Sequence, residues 1–396
     1  MKKLLLVFAL LLLLLTGCWD YKELNEYSIV TGIAIDKTDD KYEVSVLISN
    51  SPKDSSNSES NESDVVVYSG KADTIFGAFK DIGLISPKEI YFGSFSVLII
   101  SDDVAKDGIE DVVDIFLRYP NSRKSFYVTI AKDSKAKDIL KIMTPLSNFP
   151  SQNISSNLSS STNLQGIITK TNFNELLSIL VKDGIDPTIN SIYIVGDKKD
   201  GFDKKNLEES EPKTYVKLGN LALFKNYKLV DYTTYDESLG INFINNNIKE
   251  THLKIKYNND YVVIDTTKIK STVKPSFKDN EPKIDIDIKG EATIIESSGN
   301  IDLNDYKTIE KLQKLTDKKI KKLINEAITK AKNNKTDIFG FGLLFYQEYP
   351  EYFSDNKDNW DNIFKDLNTN MSVKIILKNK VSSKNSLEEI NDKEKD

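Results

Sequence analysis

The residues best placed to do chemistry are Leu15-Thr16-Gly17-Cys18, which hold the only cysteine of the chain. They follow directly on Lys2, Lys3 and an unbroken apolar run over residues 4–15. A positive start, a short apolar core and small residues before a cysteine form the lipobox pattern of a bacterial secretory signal. In that chemistry the cysteine thiolate takes a diacylglyceryl group as a thioether. The small residues ahead of it let a membrane-embedded peptidase reach the Gly17–Cys18 bond. Two acyl chains, at about 0.8 kcal/mol per buried methylene, anchor a protein where one chain would not. The apolar run is too short to span a bilayer, which takes about 20 residues. The sequence thus predicts a signal peptide over 1–17 and a mature chain starting at lipidated Cys18. That chain would be held to membrane lipid at the outer face of a bacterial membrane. No cofactor is expected beyond the covalent diacylglyceryl group.

Other chemistry is sparse. A Ser/His/Asp triad would have to use His252, the only histidine, and no serine motif accompanies it. No P-loop or dinucleotide fingerprint occurs; Gly340-Phe341-Gly342 lacks the third glycine. Asp197-Lys-Lys-Asp-Gly-Phe-Asp203 has the outline of a calcium loop without its closing glutamate, so it reads as a charged turn. One cysteine and one histidine cannot assemble the usual zinc sites. A net charge of −6 over 396 residues argues against nucleic acid, and a mean hydropathy of −0.38 excludes a polytopic membrane protein. Ten lysines against four acids in 305–335 suit a solvated helix face, or else a patch for anionic lipid or an acidic partner. The aromatic group Phe339, Phe341, Phe345, Tyr346, Tyr349, Tyr352, Phe353, Trp360 and Phe364 reads as core first and as an interaction surface second.

The elements that must carry these residues follow from periodicity. Strands are expected at 29–36, 42–49, 65–68, 94–101 and 125–131, with helices at 73–83 (capped by Asp73), 109–117 and 136–143. Residues 150–163 are a second Ser/Asn-rich stretch after 51–64. A helix at 173–181 and a strand at 191–195 precede a polar segment, 197–213, that reads as a linker. Beyond it come a hairpin at 215–232, a helix at 236–244, strands at 253–257, 261–265, 267–273 and 283–295, and a long helix at 306–332. A short helix at 362–367 and a strand at 371–378 close the pattern. The fold class is therefore mixed α/β or α+β and multi-domain, with a mainly antiparallel sheet and a long helix in the C-terminal part. The expected regions are 18–199, 213–382 (with a further break near 247) and a disordered tail at 383–396.

Cys18-Trp19-Asp20-Tyr21-Lys22-Glu23-Leu24-Asn25, followed by 29–36, resembles the start of the C-subunit lipoproteins of bacterial spore germinant receptors, the Ger(x)C family. The blocks 87–100, 108–120 with Arg118, 136–140, 219–225 and 237–240 follow in that family's order. So do Asp337-Ile-Phe-Gly340-Phe-Gly342, Tyr349-Pro350, Trp360-Asp361 and Phe364. The chain departs from the family in having Glu348-Tyr349 before Pro350, Tyr352-Phe353 after it, and Asn379-Lys380 behind the last strand. The resemblance implies three mixed α/β domains, two integral membrane receptor subunits as partners, the inner spore membrane as location, and no catalytic activity. It marks Trp19, Asp20, Gly340, Gly342 and Trp360 as family-motif residues without assigning them a role. The alternative is a solute-binding lipoprotein of a membrane transporter, which would show two βα-alternating lobes around a pocket.

Overall fold

The computed structural model describes residues 26–49, 64–119, 123–145, 147, 149–164, 166–169, 171–299 and 301–378. Gly17, Cys18, Trp19, Asp20 and the expected tail at 383–396 lie outside the described residues.

The chain begins with β1 (Tyr27–Thr38), β2 (Lys41–Ser49) and β3 (Val65–Ala72), an antiparallel meander. Helix α1 (Ile75–Gly83) follows, capped by the Thr74 hydroxyl, which accepts from the Gly77 N–H. Asp73, expected as the cap, sits one residue too early. Then come β4 (Glu89–Tyr91), β5 (Val97–Ser101), α2 (Asp102–Asp107), α3 (Glu110–Arg118), β6 (Tyr127–Ala131), α4 (Ala136–Lys141), α5 (Pro150–Leu164), α6 (Phe173–Leu180) and β7 (Thr188–Val195). Short helices α7 (Lys198–Gly201) and α8 (Lys205–Glu208) lead to the hairpin β8 (Tyr215–Lys225) and β9 (Lys228–Tyr232), and then to α9 (Tyr235–Ile244). These strands form one sheet in the order β3-β2-β1-β5-β6-β7-β8-β9, with β4 beside the start of β1. Strands β1, β5, β6 and β7 run parallel at its centre.

Both faces of this sheet are buried, because apolar residues fill both phases of the strand alternation. Ile33, Ile35, Leu98, Ile100, Val128 and Ile130 face α1, α2, α3 and α6. Ala34, Val97, Ile99, Leu221 and Leu223 face α4, α5 and α9. Helix α5 is the element least visible in the sequence: Ser151, Ile154 and Leu158 form its buried stripe, hidden among serines and asparagines. Helix α4 has no cap of its own. Asp36, in β1, accepts from the Ala136 and Lys137 N–H groups at 2.8 and 2.9 Å instead. Burial raises the Asp36 pKa against those two donors.

The second sheet is β10 (Thr251–Tyr257), β11 (Asp260–Lys278), β12 (Glu281–Ser297) and β13 (Asn368–Leu377), in that spatial order. The first three are antiparallel and β13 joins parallel to β12. The two strands expected at 261–265 and 267–273 are one strand, bent by a register shift between Thr267 and Lys270, with Lys268 at φ 51°. Helix α10 (Tyr306–Asn333) lies on the sheet, burying Leu312, Thr316, Ile320, Leu323, Ala327 and Ala331. Helices α11 (Phe341–Glu348), α12 (Pro350–Asn356) and α13 (Trp360–Asp366) lead into β13. Four of the nine lysines of α10 form ion pairs: Lys314 with Glu310, Lys319 with Asp236, Lys322 with Glu326 and Lys330 with Asp231.

The segment 200–212, where the main boundary was expected, lies between neighbouring strands of one sheet, since β8 pairs antiparallel with β7. The described residues hold two sheets, so the three domains implied by the resemblance do not each carry a separate one. One apolar cluster runs from the first sheet through α9 onto α10 and the second sheet. The second sheet, three antiparallel strands and one parallel under a single long helix, does not have the βα alternation of a transporter lobe. At the joint, a side chain at Gly240 would put its Cβ 2.2 Å from the Leu323 carbonyl oxygen. Gly240→Leu should therefore push α9 off α10 and destabilise the protein by about 1–3 kcal/mol, the usual range for overpacking. A lowered urea midpoint at unchanged slope would show it; an unchanged midpoint would refute the close approach.

Candidate functional site

The family-motif residues Gly340, Gly342 and Trp360 come together around one buried carboxylate, Asp337. The chain leaves α10, turns, and places Asp337 three residues before Gly340, which adopts φ 68° and starts α11. Only glycine takes that left-handed conformation at no steric cost. Asp337 Oδ1 accepts from the Phe341 N–H at 3.0 Å; Oδ2 accepts from the Gly342 N–H at 2.7 Å and from Trp360 Nε1 at 2.9 Å. The carboxylate thus caps the first turn of α11, where the helix dipole favours negative charge, and fixes the indole that opens α13.

A second strand of chain closes the site. Asp186, between α6 and β7, accepts from the Asp337 N–H through Oδ2 at 2.8 Å, and the Asp186 N–H donates to the Asp337 carbonyl at 2.9 Å. The Leu343 N–H donates to the Gly184 carbonyl at 2.9 Å. Gly342 must be small: its Cβ would lie 2.6 Å from Trp360 Nε1 and 2.7 Å from Gly184 Cα. Gly184 faces the same restriction from the other side, at φ 76°. Lys225, at the end of β8, pairs with Asp186 at 3.2 Å and with Asp361 at 2.6 Å, and the Asn226 N–H donates to Asp186 Oδ1 at 3.0 Å. Burial lowers the Lys225 pKa, but the two carboxylates outweigh it and hold the ammonium above its ordinary range.

Aromatic side chains enclose the carboxylate. Trp360 lies 5.5 Å from Phe345 and 5.4 Å from Phe353, centroid to centroid, and Phe339 stacks on Phe341. Phe277, at the far end of β11, meets Phe345, Tyr349 and Tyr352 edge-on. The aromatic group is thus mainly core, with Tyr346 and Tyr349 left at the surface. A cleft of about 830 Å³ runs alongside, lined by Thr171, Asp186, Asn246, Lys249, Phe339 and Leu343. Asp337 itself is sealed from it at 2% exposure. The arrangement is a clamp: it accepts hydrogen bonds and joins chain segments, and it presents no reactive group to solvent.

The other candidates are structural or superficial. His252 is exposed, with Nδ1 3.4 Å from Asp265 Oδ1. Asp197 accepts from the Lys199 N–H and Asp203 from the Lys205 N–H, so two of the calcium-like loop's three carboxylates are spent on helix starts. Among the described residues no group of three or more His, Cys, Asp or Glu is placed to hold a metal ion. Sequence reasoning singled out Gly340, Gly342 and Trp360 but missed Asp337, Asp186 and Lys225 as a unit. Asp337 and Lys225 lie in quoted family blocks; Asp186 carried no signal.

Two family descriptions match the chain in order. "Spore germination protein N-terminal domain" matches residues 20–194, and "Spore germination B3/GerAC like, C-terminal" matches residues 219–380. The chain is similar to spore germination protein KC of Bacillus subtilis (strain 168), 28% identical over 371 residues and covering 91% of each chain. It is similar to spore germination protein B3 of the same organism, 22% identical over 377 residues, covering 93% of this chain and 96% of that one. The crystal structure of the GerBC protein shares the fold, with a TM-score of 0.55 at 17% identity over 91% of this chain and 100% of that one.

Two measurements test the clamp. Burial pushes the Asp337 carboxyl up to about 6, opposed by the Gly342, Trp360 and Phe341 donors, whereas an ordinary aspartate titrates at 3.8. A raised acid pKa means the folded state holds the proton more tightly, so this contribution to stability falls as pH rises from 3.8 to about 6 and is flat above. The stability difference between wild type and Asp337→Asn should change by up to ~1.4 kcal/mol per pH unit in that window and level off above it. A difference independent of pH would contradict the buried, titrating carboxyl. Trp360→Phe should cost about 1–3 kcal/mol through the lost donor, and should move the break in the profile to higher pH. A break that stays in place would separate Trp360 from Asp337.

Proposed function

The chain belongs to the GerAC family of spore germination proteins, and from that premise we propose that it is the lipid-anchored, non-catalytic C subunit of a nutrient germinant receptor. In this reading the diacylglyceryl group on Cys18 tethers the protein to the outer face of the inner spore membrane. Two integral membrane subunits are its partners there. Its two sheets form one body whose surface stabilises or relays a conformational change in those subunits.

The observation that carries the reading is the in-order match of both family domains, over residues 20–194 and 219–380, behind an N-terminal lipobox that uses the only cysteine. Two further features support it. The described residues hold no helix long and apolar enough to cross a membrane, and in this reading the lipid on Cys18 supplies the attachment. The buried clamp is built for rigidity, which suits a subunit that transmits force more than one that turns over substrate.

Cys18→Ala should leave the folded protein intact and move it from the membrane to the soluble fraction. The wild-type chain, solubilised gently from spore membranes, should carry two integral membrane proteins with it. Continued membrane retention of the variant would refute the anchor, and purification without membrane partners would refute the receptor assignment.

A further inference from the structure

The end of α1 presents an apolar tip that folding does not cover. Leu84 is 86% exposed and Ile85 53%, the largest adjacent pair of exposed aliphatic side chains among the described residues. The backbone holds them outward. The Leu84 N–H donates to the Asp81 carbonyl, and the Ile85 and Ser86 N–H groups donate to Ile82, at 3.0–3.1 Å. Ser86 Oγ then donates to the Lys88 carbonyl at 2.7 Å. Exposed Tyr91 lies close along the chain, and on α1 the Lys80 ammonium lies over the exposed Phe76 ring.

This tip sits where the chain enters the fold. Ser28 and Ser86 share a hydrogen bond at 3.2 Å, Tyr27 pairs with Glu89 in parallel register, and the Tyr27 and Tyr91 rings are 5.5 Å apart. Residues 19–25 separate Cys18 from Glu26. Even fully extended, those eight steps reach no more than about 29 Å. A lipid on Cys18 therefore brings the bilayer to this end of the molecule.

We propose that the Leu84–Ile85 tip rests in the bilayer interface and sets the orientation of the protein on the membrane. The inference rests on the lipid-anchor reading above. Its chemistry matches that of an interfacial anchor: aliphatic side chains enter the acyl boundary, Tyr91 lies at headgroup depth, and Lys80 and Lys88 meet lipid phosphates. A protein partner fits less well. A stable interface buries about 800 Å² on each side, far more than one convex tip offers. A bilayer needs no such area, because two acyl chains already supply the affinity. The tip adds direction: it limits tilting about the tether and presents one fixed surface to neighbouring subunits.

The test uses the full-length lipidated protein bound to vesicles of phosphatidylglycerol and phosphatidylethanolamine. Once Cys18 is lipidated, Ile85→Cys supplies the only free thiol. Its reaction rate with a charged, water-soluble maleimide is compared with that of Tyr306→Cys, a residue 78% exposed on α10. Both are also measured without vesicles in the Cys18→Ala background. Vesicle binding should slow the thiol at 85 by about tenfold and leave that at 306 within about twofold. Adding Leu84→Ser should restore the rate at 85 while the protein stays on the vesicles, with an unchanged circular dichroism spectrum. Equal rates at 85 and 306 on bound protein would overturn the tip and leave the anchor standing. Protein that never joins the vesicles would overturn the anchor, and the tip with it. Protection at 85 in spore membranes but not in lipid vesicles would overturn the lipid contact in favour of a protein one.

Discussion

The buried carboxylate of Asp337 is the constraint on which the joining of this fold depends. A charged group removed from water must find its hydrogen bonds inside the protein, or the cost of burial unfolds it. Asp337 finds three N–H donors, from the first turn of α11 and from the Trp360 indole. Its backbone exchanges two more hydrogen bonds with Asp186. Those partners come from the turn before β7, from the start of α11, and from the start of α13. Each contact is short, so the segments must approach within backbone distance. This is why Gly184 and Gly342 meet where side chains would collide.

The clamp explains a mismatch between sequence and fold. The two family descriptions stop at residue 194 and restart at 219. The structure has no corresponding gap: β7 and β8 are neighbours in one sheet, and Lys225 at the end of β8 bridges Asp186 to Asp361. Together with the continuous apolar cluster through α9, these contacts make the two sheets one mechanical body. The first described strand, β1, and the exposed Leu84–Ile85 tip belong to the first sheet's half of the molecule. The family's last motif block closes the second sheet onto it.

Much of this was legible in the sequence, for identifiable reasons. Strands such as 29–36 and 42–49 are dense in apolar residues, and the long helix repeats its apolar stripe over 28 residues. Helix α5 was hidden because its buried stripe, Ser151, Ile154 and Leu158, sits amid residues of low helix propensity. Strand β11 read as two strands because its bulge interrupts the alternation near Lys268. The clamp was visible as residues without a role. Gly340, Gly342 and Trp360 stood out, but Asp186 lies 151 residues from Asp337. No local pattern marks a partner that distant; only the folded chain brings it in.

Two sheets joined by a buried clamp, as one body, would suit the proposed role of holding or relaying the state of other subunits. The most direct test is the germination of spores lacking this gene, measured with nutrients and, in parallel, with a non-nutrient trigger. The account predicts loss of the response to one nutrient or nutrient set, restored by supplying the gene, with the non-nutrient response intact. Loss of both responses, or an unchanged nutrient response in a strain without other receptors, would contradict it.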